Sequence, residues 1–112
     1  MTPEAKVKKQ VKEILDRHNA YYFMPATGGY GASGVPDIVA CINGMFVGIE
    51  CKADGNQPTK LQLKHLNDIA DRGGLAFTVD ASSLGVFAMS LATYIAPAYV
   101  GEPHFYNLTK RE

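Results

Sequence analysis

Gly34-Val35-Pro36-Asp37-Ile38-Val39-Ala40-Cys41-Ile42-Asn43-Gly44-Met45-Phe46-Val47-Gly48-Ile49-Glu50-Cys51-Lys52 is the stretch on which the reading of this chain turns. Two apolar runs flank Asn43-Gly44, a pair that tolerates the positive φ of a type I′ turn, so the stretch predicts a β-hairpin over Asp37–Ile42 and Met45–Lys52. With Asn43 and Gly44 as a two-residue loop, Ile42 faces Met45 and, stepping outward, Asp37 faces Glu50. Side chains alternate along a strand, so Lys52 shares the face of Glu50 and Cys51 points away. Two carboxylates opposed at about 5 Å between Cβ atoms repel unless a cation lies between them. The hairpin is therefore expected to build a metal site with a lysine beside it. Its apolar residues lie on both faces, which predicts a central strand pair covered on both sides, as in an α/β sandwich.

Working outward toward the N-terminus, Pro25 to Gly34 reads as a flexible glycine-rich loop carrying Tyr30 and Ser33. It either admits a substrate backbone closely or is an ordinary surface loop. Ala20 to Met24 is an aromatic-rich strand. Thr2-Pro3 reads as an N-cap with proline in the first helical position, and Val7, Val11, Ile14 and Leu15 recur at helical spacing to about Arg17 or His18. Glu4 falls near the core-facing side of that helix. The plain reading makes it a partner of the helix dipole, and the other makes it part of the acidic site. Lys6, Lys8, Lys9 and Lys12 lie mostly on the flanks.

On the C-terminal side, Ala53 to Pro58 is turn-like. Thr59 and Gln62 match a capping box that opens a helix bearing Leu63, Leu66, Ile69 and Ala70 to about Arg72, and Gly73-Gly74 stops it. Leu75 to Val79 reads as a strand, and Ser82-Ser83 as the cap of a last helix through about Ile95. Leu84, Val86, Phe87, Met89, Leu91 and Ile95 wrap most of that helix, more apolar surface than one small domain buries, so part of it is expected to form a homodimer contact. Residues 96–112 are a tail with Tyr99, Phe105 and Tyr106, expected to pack as an arm on the body or a partner.

The 112 residues point to one domain, and 46% hydrophobic with 20% charged residues fit a globular chain rather than a disordered one. Eleven basic and eleven acidic residues cancel, so net charge alone does not advertise nucleic acid. Leu84 to Val100 is apolar but falls short of the roughly 20 residues that span a bilayer. No leader is recognised. The two cysteines are expected to be reduced and buried, which suits a cytoplasmic protein.

The order is helix, strand, hairpin, helix, strand, helix, with Asp37, Glu50 and Lys52 gathered at one sheet end. All-oxygen ligands favour Mg²⁺ or Mn²⁺ over Zn²⁺, and a neighbouring lysine can neutralise phosphate charge or orient water. Metal-assisted phosphodiester hydrolysis is the reaction class this predicts. A structural ion triad, Asp37–Lys52–Glu50, is the competing reading.

Val35-Pro36-Asp37 and Glu50-Cys51-Lys52, preceded by a helix bearing Glu4, resemble the PD-(D/E)XK nuclease superfamily. Ser33-Gly34-Val35-Pro36-Asp37-Ile38-Val39 and Thr59-x-x-Gln62 most resemble its VRR-NUC (virus-type replication-repair nuclease) family, in stand-alone form. The resemblance covers the chain to about Ile95. It implies an α/β restriction-endonuclease-like core, a central mixed sheet flanked by helices in the order α-β-β-β-α-β-α. It also implies Asp37, Glu50 and the backbone carbonyl of Cys51 as metal ligands, with Glu4 completing the acidic cluster. Lys52 would orient or activate water, and Gln62 would support the site. Stand-alone relatives resemble Holliday-junction resolvases, small dimers that present two sites to branched DNA.

The expectation is thus a Mg²⁺- or Mn²⁺-dependent DNA endonuclease cutting branched DNA such as four-way junctions. It would work as a homodimer, without a nucleotide cofactor, in the cytoplasm of a bacterial host, and be encoded by a phage or mobile element. Lys6, Lys8, Lys9, Lys12, Tyr30 and Ser33 are its candidate DNA contacts, although a solvated helix face explains each lysine as well. Two alternatives stand: the same chemistry on duplex, flap or single-stranded DNA, and a catalytically silent DNA-binding or assembly module.

Overall fold

The computed structural model describes residues 1–26, 33–97, 101 and 103–109. Helix α1 spans Pro3–Arg17. The Thr2 hydroxyl accepts the Ala5 N–H at 3.1 Å, satisfying one of the amides that a helix start leaves unpaired. Val7, Val11, Ile14 and Leu15 form its buried stripe. Strand β1 is Tyr21–Phe23, β2 is Ile38–Ile42 and β3 is Met45–Cys51. Between β2 and β3, Asn43 and Gly44 both take positive φ, 50° and 86°, as a two-residue hairpin turn requires. The predicted register holds from Ile42↔Met45 to Ile38↔Ile49. Each strand is one residue shorter at the charged end than expected, because Asp37 is a bend and Lys52 follows the last strand residue.

Helix α2, Lys60–Asp71, crosses over to β4, Leu75–Val79, which pairs parallel with β3. The sheet order is β1-β2-β3-β4, antiparallel except for that last pair. A 3₁₀ turn at Ala81–Ser83 leads into α3, Leu84–Tyr94. Ser83 takes the N-cap position of α3 as expected but gives that helix no side-chain hydrogen bond; the side-chain cap lies one turn earlier, at Asp80. The Asp80 carboxylate accepts the Ser83 N–H, and the Ser83 hydroxyl returns to the Asp80 N–H at 3.0 Å.

Helices α1 and α3 cover one face of the sheet. Val7, Val11, Leu15, Ile38, Ile42, Val47, Ile49, Phe87 and Leu91 form the core there, and Phe77 meets Phe87 edge-on at 5.1 Å. Helix α2 covers the other face, but only over β3 and β4. Gly48 lies directly beneath α2: a Cβ there would stand 2.5 Å from Ile69 Cδ1 and 3.2 Å from Pro36 Cγ, so those side chains would have to give way. Leu66 is the buried anchor of α2, whereas Leu63 and Ala70, expected in its core stripe, are exposed. The sheet is therefore not covered on both sides throughout. Among the described residues nothing covers the α2 face over β1, β2 and the start of β3, where Phe23 and Phe46 are half-exposed and Cys41 is exposed, while Cys51 is buried. Both cysteines are free, but only Cys51 is buried as expected.

The surplus apolar surface predicted on α3 is present as exposed Val86, Met89 and Tyr94. In the tail, Phe105, Tyr106 and Leu108 are exposed; Tyr99 lies outside the described residues. No helix among the described residues is long and apolar enough to cross a membrane.

Candidate functional site

The hairpin ends unevenly, and that irregularity builds the site. Because the β2 ladder begins at Ile38, the Cys51 amide has no backbone partner across the strand pair. The Asp37 carboxylate takes that place: its Oδ2 accepts the Cys51 N–H at 2.8 Å. On the other side, the Lys52 N–H donates to the Val79 carbonyl at 2.9 Å, which continues the β3–β4 pairing one residue beyond β3. Asp37, Glu50 and Lys52 are thus tied to one rigid sheet end, as the hairpin register requires.

Glu50 is the one buried charged residue among those described, 2% exposed. Gln62 reaches it from the first turn of α2, its Nε2 donating to Glu50 Oε1 at 3.1 Å. Lys52 Nζ lies 3.9 Å from the same oxygen. The second oxygen, Oε2, is buried and has no hydrogen-bond partner among the described residues. Burial first, and then the neighbouring Asp37 carboxyl, pushes the Glu50 carboxyl up from 4.5 to about 8; Lys52 offsets part of this and Glu4 adds to it. Burial, with the Asp37 charge second, also raises the Cys51 thiol to about 12. That thiol is held in its inert protonated form, so the donor Cys51 has to offer is its backbone carbonyl.

Helix α1 completes the group. Glu4 and Lys8, four residues apart on one flank, lie 3.8 Å apart at Glu4 Oε1 and Lys8 Nζ, and the same Nζ lies 3.7 Å from Asp37 Oδ1. The ion triad Asp37–Lys52–Glu50 does not form. Lys52 pairs with Glu50, and Lys8 pairs with Asp37 and Glu4. The sequence leaves Lys8 either on a solvated flank or at a DNA phosphate; in the metal-free protein it turns toward Asp37 and Glu4, a placement set by how α1 packs against the sheet end.

Among the described residues, no three His, Cys, Asp or Glu side chains are already arranged to hold a metal ion. Their oxygens are instead occupied by the Cys51 amide, Gln62 and the two lysines. The donor set nonetheless fits a hard divalent cation. An acceptor buried without a hydrogen-bond partner among the described residues, beside a second carboxylate held in place by a backbone amide, is the kind of hard oxygen donor such an ion takes.

Gln62 satisfies both readings of its role. While its Nε2 holds Glu50, its Oε1 accepts the Thr59 N–H at 2.8 Å and its own N–H donates to the Thr59 hydroxyl at 3.2 Å. Of the other candidates, Lys6 and Lys9 are exposed on α1 and Lys12 is half-buried. The Ser33 carbonyl lies 2.9 Å from His65 Nε2, which ties the end of the glycine-rich loop to α2. Tyr30 lies outside the described residues. A cavity of about 550 Å³ opens over the uncovered sheet face, lined by Phe23, Val39, Phe46, Ile69 and Arg72 among others; Asp37, Glu50 and Lys52 do not line it.

A solved VRR_NUC domain superposes on the chain with a TM-score of 0.66 at 21% sequence identity, covering 86% of this chain and 100% of that one. No curated protein sequence matches it. The family model described as archaeal Holliday junction resolvase (Hjc) matches residues 5–76, a span that contains Asp37, Glu50, Lys52 and Gln62 and begins one residue after Glu4. The chain, with its mixed sheet and the carboxylates and lysine at its end, belongs to the archaeal Holliday junction resolvase (Hjc) family, a nuclease family of PD-(D/E)XK type.

Proposed function

We propose that this protein is a Mg²⁺- or Mn²⁺-dependent DNA endonuclease that cuts branched DNA, four-way junctions in particular, as a homodimer. The observation that carries the reading is Glu50, a buried carboxyl fixed by Gln62 at one oxygen and left without a partner at the other, beside Asp37. A structural ion pair has no use for an unpaired buried oxygen, and a divalent cation does.

In this reading Asp37, Glu50 and the Cys51 carbonyl would hold the ion, with Glu4 completing the acidic group from α1. Bound there, the ion supplies Lewis-acid polarisation of the phosphodiester and lowers the pKa of a bound water. The protein's share is position and charge. The Asp37 carboxylate is anchored by the Cys51 amide, and Glu50 is anchored by Gln62. Lys52, its backbone fixed to β4 and its side chain 14% exposed, faces the site to orient the attacking water and offset charge on the phosphate. Hydrolysis forms one P–O bond from water and breaks one P–O bond to a sugar oxygen. Exposed Lys6 and Lys9 on α1 supply phosphate contacts that position the DNA without reading its sequence. Exposed Val86, Met89 and Tyr94 on α3 support the dimer, whose two-fold symmetry suits paired cuts on two strands.

The test is cleavage of a labelled four-way junction beside matched duplex, flap and single strand, with Mg²⁺ or Mn²⁺ and with Lys52→Ala as control. Metal-dependent paired cuts in the junction, lost in the control, are the expected result. Cutting of the other substrates alone would keep the chemistry and remove the branched-DNA preference. No cutting of any substrate would leave a binding module.

A further inference from the structure

Three carboxylates, Glu4, Asp37 and Glu50, share the sheet end with two lysines, and the two lysines are held in different ways. Lys52 is built in: its amide is fixed to β4 and its side chain is 14% exposed against Glu50. Lys8 reaches in from outside, 37% exposed on α1, with Nζ 3.7 Å from Asp37 Oδ1 and 3.8 Å from Glu4 Oε1. Both distances exceed those of a direct hydrogen bond, so the ammonium is shared as a point charge on a flexible four-carbon stem. Asp37 does not depend on it for orientation, because Oδ2 is held by the Cys51 amide.

We infer that Lys8 is an exchangeable counter-cation of the carboxylate cluster: without metal it sits between Asp37 and Glu4, a divalent cation displaces it, and the freed side chain takes a DNA phosphate. This rests on the metal-dependent nuclease reading above. Counting formal charges with all three carboxylates ionised, the state in which they would hold a cation, three carboxylates and two lysines leave one negative charge. A dication added with Lys8 in place would leave the cluster one charge positive, whereas a dication that expels Lys8 leaves it neutral. Like charges facing the same oxygens at under 4 Å repel, and Lys8, unlike Lys52, has solvent to move into. Lys8 thereby weakens metal binding in the free protein. Once released at the mouth of the site it strengthens DNA binding, so metal and DNA favour each other's binding by the same factor.

Calorimetric titration with Mn²⁺ tests the first half on wild type, Lys8→Met and Lys9→Met. Lys9 removes the same charge from a different flank, where it borders a shallow cleft with Lys6, Gln10 and Glu13. Lys8→Met is expected to bind Mn²⁺ about tenfold tighter, the low end of what one adjacent charge does to a carboxylate's proton affinity, and Lys9→Met to match wild type. Ammonium-selective NMR of the unmodified protein should show the Lys8 signal shifting on Mg²⁺ addition while that of Lys9 stays. Binding of a labelled four-way junction tests the second half: Ca²⁺ should tighten it in wild type, and Lys8→Met should lose that gain. Equal or weaker Mn²⁺ affinity in Lys8→Met, an unmoved Lys8 signal, or a Ca²⁺ gain kept in Lys8→Met would overturn the role of Lys8. No Mn²⁺ binding by wild type would instead remove the nuclease reading beneath it.

Discussion

Gln62 joins Glu50 to the start of α2 with the two ends of one amide: Nε2 donates to Glu50 Oε1 at 3.1 Å, and Oε1 accepts the Thr59 N–H at 2.8 Å. The helix cap therefore also sets the position of the buried carboxyl. Gln62→Ala should cost about 1–2 kcal/mol of stability, through the lost cap bond and the second Glu50 oxygen it leaves unpaired. It should also slow cleavage. Thr59→Ala removes the hydroxyl that caps the Gln62 amide and leaves the Gln62–Glu50 bond, so it should lower the melting temperature comparably while keeping cleavage near wild type. Thermal melts and cleavage rates on the two variants separate the roles; equal loss of cleavage in both would contradict the assignment.

The raised Glu50 carboxyl makes the metal-free protein sensitive to pH in a definite direction. Its folded value of about 8 lies above the ordinary 4.5, so between these pH values the folded state holds a proton that the unfolded state has released. This contribution to stability is complete below about pH 4.5 and is lost as pH rises toward about 8. In chelator, wild type should melt lower at pH 8 than at pH 5.5, and Glu50→Gln should flatten that slope. Identical slopes in the two proteins would show that Glu50 is not its source.

Under the proposed function, Lys52 should contribute little to folding and much to chemistry. Its ion pair with Glu50, at 3.9 Å, is long, and its backbone contact to Val79 survives truncation. Lys52→Ala should fold with a melting temperature within a few degrees of wild type. It should cut at least about 10²-fold more slowly, the typical loss when one group aimed at developing charge is removed. A severely destabilised Lys52→Ala would favour a structural role.

Helix α3 exposes Val86 by 65% and Met89 by 71%. Met89→Lys should convert a dimer to a monomer in light scattering at micromolar concentration without lowering the melting temperature of the monomer. A wild-type mass equal to one chain would remove the dimer.

Much of this site is legible in the chain itself, for reasons that can be named. Asn43-Gly44 fixes the turn, the turn fixes the register, and the register brings Asp37 and Glu50 to one end. Thr2-Pro3 and Thr59-x-x-Gln62 place two helix starts because capping is a local interaction. What depends on docking angles is not legible. Whether a helix lysine such as Lys8 leans over the sheet end follows from how α1 packs, not from its spacing. Apolar residues on both strand faces imply cover without saying which element supplies it, so the open face at Phe23 and Phe46 is hidden in the sequence. In Asp80-Ala81-Ser82-Ser83 the carboxylate and the Ser83 hydroxyl cap each other across the 3₁₀ turn, one turn before the N-cap position that Ser83 holds for α3.

The most direct test of the central claim, that Glu50 is a carboxyl kept ready for a cation, is thermal melting of wild type and Glu50→Gln at pH 7.5, each in chelator and in excess Mn²⁺. The account predicts that Mn²⁺ raises the wild-type melting temperature by several degrees, as a ligand bound only by the folded state does at many times its dissociation constant. It further predicts that Glu50→Gln melts higher than wild type in chelator and gains almost nothing from Mn²⁺. A wild-type melting temperature indifferent to Mn²⁺, with Glu50→Gln melting lower in chelator, would make the buried carboxyl a structural ion-pair member and contradict the account.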